Sequence, residues 1–202
     1  MTIIVQKFGG TSLENIERIQ SVAKKIKNEV NQGNNVAVIV SAMGNTTNNL
    51  IELAKSIDNF HDAREYDVIL STGEQITAGL LSIALQKVGL DARSWLGWQI
   101  PLLTDDNHSS AKIKNLNVKK IKERLLDGQV AVIAGFQGCS DFDRITTLGR
   151  GGSDTSAVAL AAALKAERCD IFTDVEGVYT TDPNVTSKAR KISKITFEEM
   201  LE

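Results

Sequence analysis

Two segments, "NVAVIVSAMG" (residues 35–44) and "VAVIAGF" (residues 130–136), run through apolar residues without the polar alternation of a half-solvated strand. A strand of that kind is buried on both faces, which is the position of a strand in a parallel sheet covered by helices on each side. Three further short segments read as strands: "TIIVQKF" (2–8), "DARSWLG" (91–97) and "CDIFTDV" (169–175). Between them lie helical patterns. Ile16, Ile19, Val22, Ala23, Ile26 and Val30 share one face, with Thr11 and Glu14 placed as a capping box. "NNLIELAKSI" (48–57) and the long tract 61–89 read as helices, the latter tolerating Gly73 and Gly79. "LNVKKIKERLLDGQ" (116–129) is an amphipathic helix stopped at Gly128, residues 153–166 form another, and "TFEEMLE" (196–202) opens a last one. "PLLTDDNHSSAK" (101–112) reads as a loop. Strands of four to seven residues alternating with longer helices predict an α/β fold, a three-layer αβα sandwich around a mostly parallel central sheet.

Composition narrows the function classes. The chain has 202 residues, 42% of them apolar and 24% charged, with a formal net charge of -2. That size suits one main core, and interspersed lysine and glutamate leave no basic footprint for nucleic acid. The first residues lack a signal pattern, and no run reads as a membrane span, so a cytoplasmic protein is expected. Cys139 and Cys169 have no metal or disulfide spacing and read as reduced structural thiols. His61 and His108 read as surface or loop residues, and no metal-ligand set is found.

Two strand ends carry the chemistry. Gly9 and Gly10 follow "VQKF", while Gly149, Gly151 and Gly152 precede an alanine-rich helix in "TTLGRGGSDTSAVALAAALKA" (146–166). Glycine lets backbone approach a ligand closely, and a helix start favours anions through its unpaired N–H groups. Two such entrances suit a nucleotide phosphate chain, with the Lys7 ammonium able to reach phosphate oxygens held by the Gly9 and Gly10 amides. There is no G-x-x-x-x-G-K-[ST] loop and no strand followed by G-x-G-x-x-G, which argues against a P-loop nucleotidase or a dinucleotide oxidoreductase.

The segments "VQKFGGTS", "VSAMGNTTNNL", "STGEQIT", "LTDDNH", "GFQG", "TLGRGGSDTSAVALAAALKA" and "FTDVEGVYTTDP" follow one another in an order and spacing that resembles the aspartate kinases, a branch of the amino-acid kinase superfamily. The resemblance implies the carbamate-kinase-like fold and ATP-dependent phosphorylation of the side-chain carboxylate of L-aspartate, with Mg²⁺ carried by the phosphates. That reaction begins the route to lysine, threonine and methionine. It implies Lys7 and Asp154 as catalytic residues, with Asp154 organising the lysine. It implies ATP contacts from Lys7, Phe8, Gly9, Gly10, Ser41, Thr173, Asp174, Tyr179 and Asp182. For the amino acid it implies Arg150 on the α-carboxylate and Glu74 on the α-ammonium, with Thr47, Gly151, Gly152 and Ser153 beside them. Other acid kinases of the superfamily, and a non-catalytic binding fragment, are the competing readings.

The resemblance also marks departures. Asn184 stands after "TDP" where the family usually has arginine. Residues 1–202 correspond to a catalytic domain truncated at its C-terminus, without a further Gly-Ala-Lys segment or the regulatory ACT-type modules. Full activity is not expected of this chain alone, and feedback by lysine or threonine is expected to be absent. A homo-oligomer is expected of the full-length protein.

Overall fold

The computed structural model describes residues 2–174, 177–181 and 185–196. They divide into two units, Met1–Phe172 and Thr173–Glu202. In chain order the first unit contains β1 (Ile3–Phe8), a 3-10 turn (Thr11–Leu13), α1 (Ile16–Asn31), β2 (Asn35–Val40), α2 (Thr46–Ile57), α3 (Ala63–Lys87), β3 (Ala92–Trp95), β4 (Leu102–Thr104), β5 (Ile113–Leu116), α4 (Lys119–Leu126), β6 (Val130–Ala134), β7 (Gln137–Cys139), β8 (Ile145–Thr147), α5 (Gly152–Leu164) and β9 (Arg168–Phe172).

Five strands form one sheet in the order β3-β6-β2-β1-β9, and every neighbouring pair in it is parallel. The two apolar runs occupy adjacent interior strands, β2 and β6, buried at every position. Strand alternation then divides the core into two layers. Ile4, Phe8, Val36, Val38, Val40, Val130 and Val132 face α1 and α3, packing on Ile19, Ala23, Ile26, Leu81 and Leu85. Val5, Ala37, Ile39, Ala131 and Ile133 face the other way, onto Ile121 and Leu125 of α4 and Ala157, Leu160 and Leu164 of α5. This is the three-layer α/β arrangement the sequence predicts. Each fully buried aliphatic side chain is worth about 1.5–3 kcal/mol against about 1 kcal/mol for a helix cap, so these layers dominate the stability of the unit.

Three expectations need correction. Ser12 and Leu13 N–H donate to the Gly9 and Gly10 carbonyls, so Thr11 opens a tight turn and cannot be extended as a cap must be. The cap of α1 is Asn15, whose side chain accepts from Arg18 N at 2.9 Å. Ile16, at the first helical position, stays exposed. The segment 101–112 is not simply a loop: β4 lies in it, and with β5, β7 and β8 makes a second, mixed sheet in the order β5-β4-β7-β8. A buried hydroxyl pair, Thr104 Oγ1 to Thr146 Oγ1 at 2.7 Å, ties that sheet across.

Among the described residues α3 is long and apolar enough to cross a membrane by length and composition. It packs instead as a core helix, burying Asp67, Ser71, Glu74 and Thr77 alongside Leu70, Leu81 and Leu85. Both cysteines are free. In the second unit a short antiparallel ladder joins Tyr179 to Lys191, with Ile192 N donating to Val178 O at 2.8 Å. The helix expected at 196–202 lies outside the described residues beyond Thr196.

Candidate active site

A cavity of about 620 Å³ opens at the carboxyl ends of β1, β2 and β6, between α3 and the start of α5. Crevices beyond strand carboxyl ends are where open α/β sheets bind ligands. Strand alternation decides what enters it. Lys7 shares a face of β1 with Val5, so it points to the α5 side, whereas Phe8 points into the α1 and α3 layer. The Lys7 ammonium therefore lies 2.7 Å from Asp154 Oδ1 in the first turn of α5. The contact lacks hydrogen-bond geometry and acts as a charge pair. Lys7 is nearly buried while Asp154 is half exposed, so the pair carries the cation to the cavity wall without removing it from a ligand's reach.

Phe8, expected among the ATP contacts, is 1% exposed and stacks on Phe172 with ring centroids 4.7 Å apart. Its side chain belongs to the core. The Gly9 amide is also committed, donating to Phe172 O at 3.1 Å, so it is not presented to a phosphate in this structure. Gly10 does line the cavity, and a Cβ there would come within 2.7 Å of the Ala42 carbonyl, so only glycine fits. Ser41 and Thr47 border the same space from the end of β2 and from α2.

The opposite wall is the turn before α5. Gly151 caps that helix at φ 74°, a left-handed conformation suited to glycine, and no side chain caps the helix N-terminus. Arg150, Gly151, Gly152 and Ser153 all line the cavity, and the Arg150 side chain lies on an exposed residue at its rim. Across from them Glu74 of α3 is 4% exposed. Its Oε1 accepts from Ala42 N at 3.0 Å, while Oε2 has no partner. Burial pushes this carboxyl up to about 7, against the lowering pull of the Ala42 N–H. A buried carboxylate with one oxygen free is poised to accept a cation.

Thr173, Asp174 and Tyr179 belong to the second unit, where the Thr173 hydroxyl donates to Asp174 Oδ1 at 3.1 Å. Asp182 and Asn184 lie outside the described residues. His61 stacks on Tyr66 with ring centroids 4.4 Å apart. His108 lies in the loop after β4, as one of the two readings had it, but it is not a surface side chain: it is 11% exposed, and Nδ1 lies 2.7 Å from Asp67 Oδ2. Asp67, Ser109, Phe136 and Thr147 were not singled out in the sequence, although the last three line the cavity. The partners of Asp67 are 41 to 80 residues away along the chain, beyond any local pattern.

This combination of sheet, lysine-bearing β1 and glycine-capped α5 agrees with the family match. Residues 2–202 match the amino acid kinase family, and the chain belongs to it. Within that family it is 55% identical over 202 residues to the aspartokinase of Geobacillus stearothermophilus, covering 100% of this chain and 50% of that protein. It is 56% identical to the aspartate kinase of Pseudomonas putida KT2440, again over 100% of this chain and 49% of the relative. The chain thus spans about half the length of the curated relatives it matches. Among solved structures it resembles the aspartate kinase from Synechocystis, with TM-score 0.87 and 48% identity over 98% of this chain and 32% of that one. It also resembles E. coli aspartokinase III in complex with aspartate and ADP, with TM-score 0.81 and 28% identity over 94% of this chain and 53% of that one.

Proposed function

We propose that the chain carries the catalytic site of an aspartate kinase, which moves the γ-phosphoryl group of ATP to the side-chain carboxylate of L-aspartate. The observation that carries this reading is one cavity lined by Lys7, Asp154, Glu74 and Arg150. It is supported by relatives named aspartokinase and by a structural neighbour, E. coli aspartokinase III, in complex with aspartate and ADP.

An aspartate side chain ionises near pH 3.9, so the nucleophile is already an anion at neutral pH and needs no general base. A carboxylate oxygen forms a bond to the γ-phosphorus as the bond to the β–γ bridging oxygen breaks. ADP leaves, and no proton changes hands. The obstacle is repulsion between two anions, which fixed cations and backbone dipoles relieve. Lys7 supplies the positive charge, and Asp154 orients it. The unpartnered oxygen of Glu74 receives the α-ammonium, and Arg150 grips the α-carboxylate bidentately. Ser41, Thr47 and Ser153 add hydroxyl contacts. In the second unit, Thr173, Asp174, Tyr179 and Asp182 serve the nucleotide.

Among the described residues no group of three or more His, Cys, Asp or Glu is placed to hold a metal ion. Mg²⁺ is proposed to arrive on the nucleotide phosphates and to neutralise part of their charge. The full-length protein is proposed to work as a homo-oligomer.

The test is trapping with hydroxylamine. Aspartyl hydroxamate formed from ATP and L-aspartate supports the reading, and Lys7→Ala should lower its rate about 100- to 1000-fold. Product from glutamate but not aspartate would point to another acid kinase of the family. Binding of ATP and aspartate without product would point to a binding domain.

A further inference from the structure

The most heavily coordinated buried group in the first unit is not among the residues given roles above. Asp67, on α3, is fully buried. Its carboxylate faces His108 Nδ1 at 2.7 Å and accepts from Thr147 Oγ1 at 2.6 Å. It also accepts from Ser109 N, 3.1 Å from both oxygens, and from Ser109 Oγ at 3.3 Å. Burying a carboxylate is costly unless its oxygens are satisfied, and here every donor comes from elements remote in sequence.

Those donors lead to Arg150. Thr147 ends β8, the next amide, Leu148 N, is fixed on Phe136 O at 2.9 Å, and Gly149 then turns at φ 74° into Arg150. Ser109 is itself held in the left-handed region at φ 67°, a conformation unfavourable for serine that needs outside support. Its carbonyl lies 3.2 Å from where a Cβ on Gly149 would stand, so the Ser109 loop backs the arginine turn. Asp67 therefore braces that turn twice, through the strand that enters it and through the loop behind it. Glu74 is seven residues further along the same helix, a rise of about 10.5 Å.

We infer that Asp67 is a positioning residue that fixes the Arg150 turn relative to Glu74, and so sets which side-chain length places its carboxylate at the phosphoryl group beside Lys7. The inference rests on the aspartate kinase reading. With the ammonium on Glu74 and the α-carboxylate on Arg150, the backbone of the amino acid is pinned at a set distance from Lys7. A β-carboxylate then reaches the phosphorus, and the longer side chain of glutamate overshoots. A loosened turn lets the α-carboxylate recede and admits the extra methylene.

The experiment compares wild type, Asp67→Asn and Thr147→Val in the hydroxamate assay, with kcat and KM measured for aspartate, glutamate and ATP. Discrimination over one methylene is typically about 10- to 200-fold. Asp67→Asn should raise KM for aspartate and lower the aspartate-over-glutamate preference, each about tenfold, leaving KM for ATP unchanged. Thr147→Val keeps the side-chain shape and leaves Asp67 its other donors, so it should shift the preference the same way by less. It decides the matter if Asp67→Asn does not fold. An unchanged preference with equal losses for both acids, in an active wild type, overturns this inference alone. A wild-type full-length protein that yields no hydroxamate overturns the kinase reading and this inference with it.

Discussion

Two carboxylates seven residues apart on α3 have opposite surroundings. Asp67 has donors on both oxygens, while Glu74 has one backbone amide and one bare oxygen. Both are buried by the same helix in the same unit, so burial alone does not separate structural from ligand-binding acids. What separates them is whether the protein completes the coordination. A saturated carboxylate holds elements together, and an unsaturated one lowers the stability of the empty protein and, in the proposed function, holds a place for a cation.

The largest test of that contrast is Asp67→Ala, which strands the donors of His108, Ser109 and Thr147. It should cost about 3–5 kcal/mol, the range for breaking a buried network, read from the midpoint of urea unfolding. Equal stability to wild type would mean the network is decorative. Glu74→Gln should act in the opposite direction. The folded-state pKa of Glu74 is raised from 4.5 to about 7, so its favourable contribution is intact below pH 4.5 and is lost as pH rises through 7. Removing the charge should therefore stabilise the ligand-free protein by about 3 kcal/mol at pH 8, with the gain vanishing near pH 4.5. The same variant should lose amino-acid binding. A destabilised Glu74→Gln at pH 8 would place Glu74 with Asp67.

A smaller effect follows from ligand linkage. If the α-ammonium pairs with ionised Glu74 as proposed, aspartate affinity should rise up to about tenfold per pH unit below 7 and level off above it. Calorimetry in buffers of different ionisation enthalpy should show proton release at pH 6.5, and none would argue that Glu74 is already charged. The smallest test is a control on the same helix. Gly79 has open space where a Cβ would stand, so Gly79→Ala should stabilise by about 0.5–1 kcal/mol through helix propensity, without changing binding.

The legible parts of the sequence were those with strong local signals. The uninterrupted apolar runs gave β2 and β6 at once, and helix periodicity gave α1, α4 and α5 within a few residues. The second sheet was missed because β4, β7 and β8 have three residues each, too short for alternation to register. The Phe8 side chain lies in the core because a strand sends adjacent residues to opposite layers, which a motif read as a string of neighbours does not convey. Lys7, Glu74 and Arg150 were found through family motifs and are brought to one cavity. The Asp67 network was invisible because each of its bonds spans a large part of the chain, and an aspartate in the first turns of a helix gives no outward sign of burial.

The adjacency of Lys7 and Phe8 on β1 also bears on how the sheet finds its alignment. A slip of one position would drive an ammonium into the hydrocarbon between α1 and α3 and turn an aromatic ring out toward the polar cavity. The alternation of lysine and phenylalanine on β1 thus helps specify one register of the strand against its neighbours.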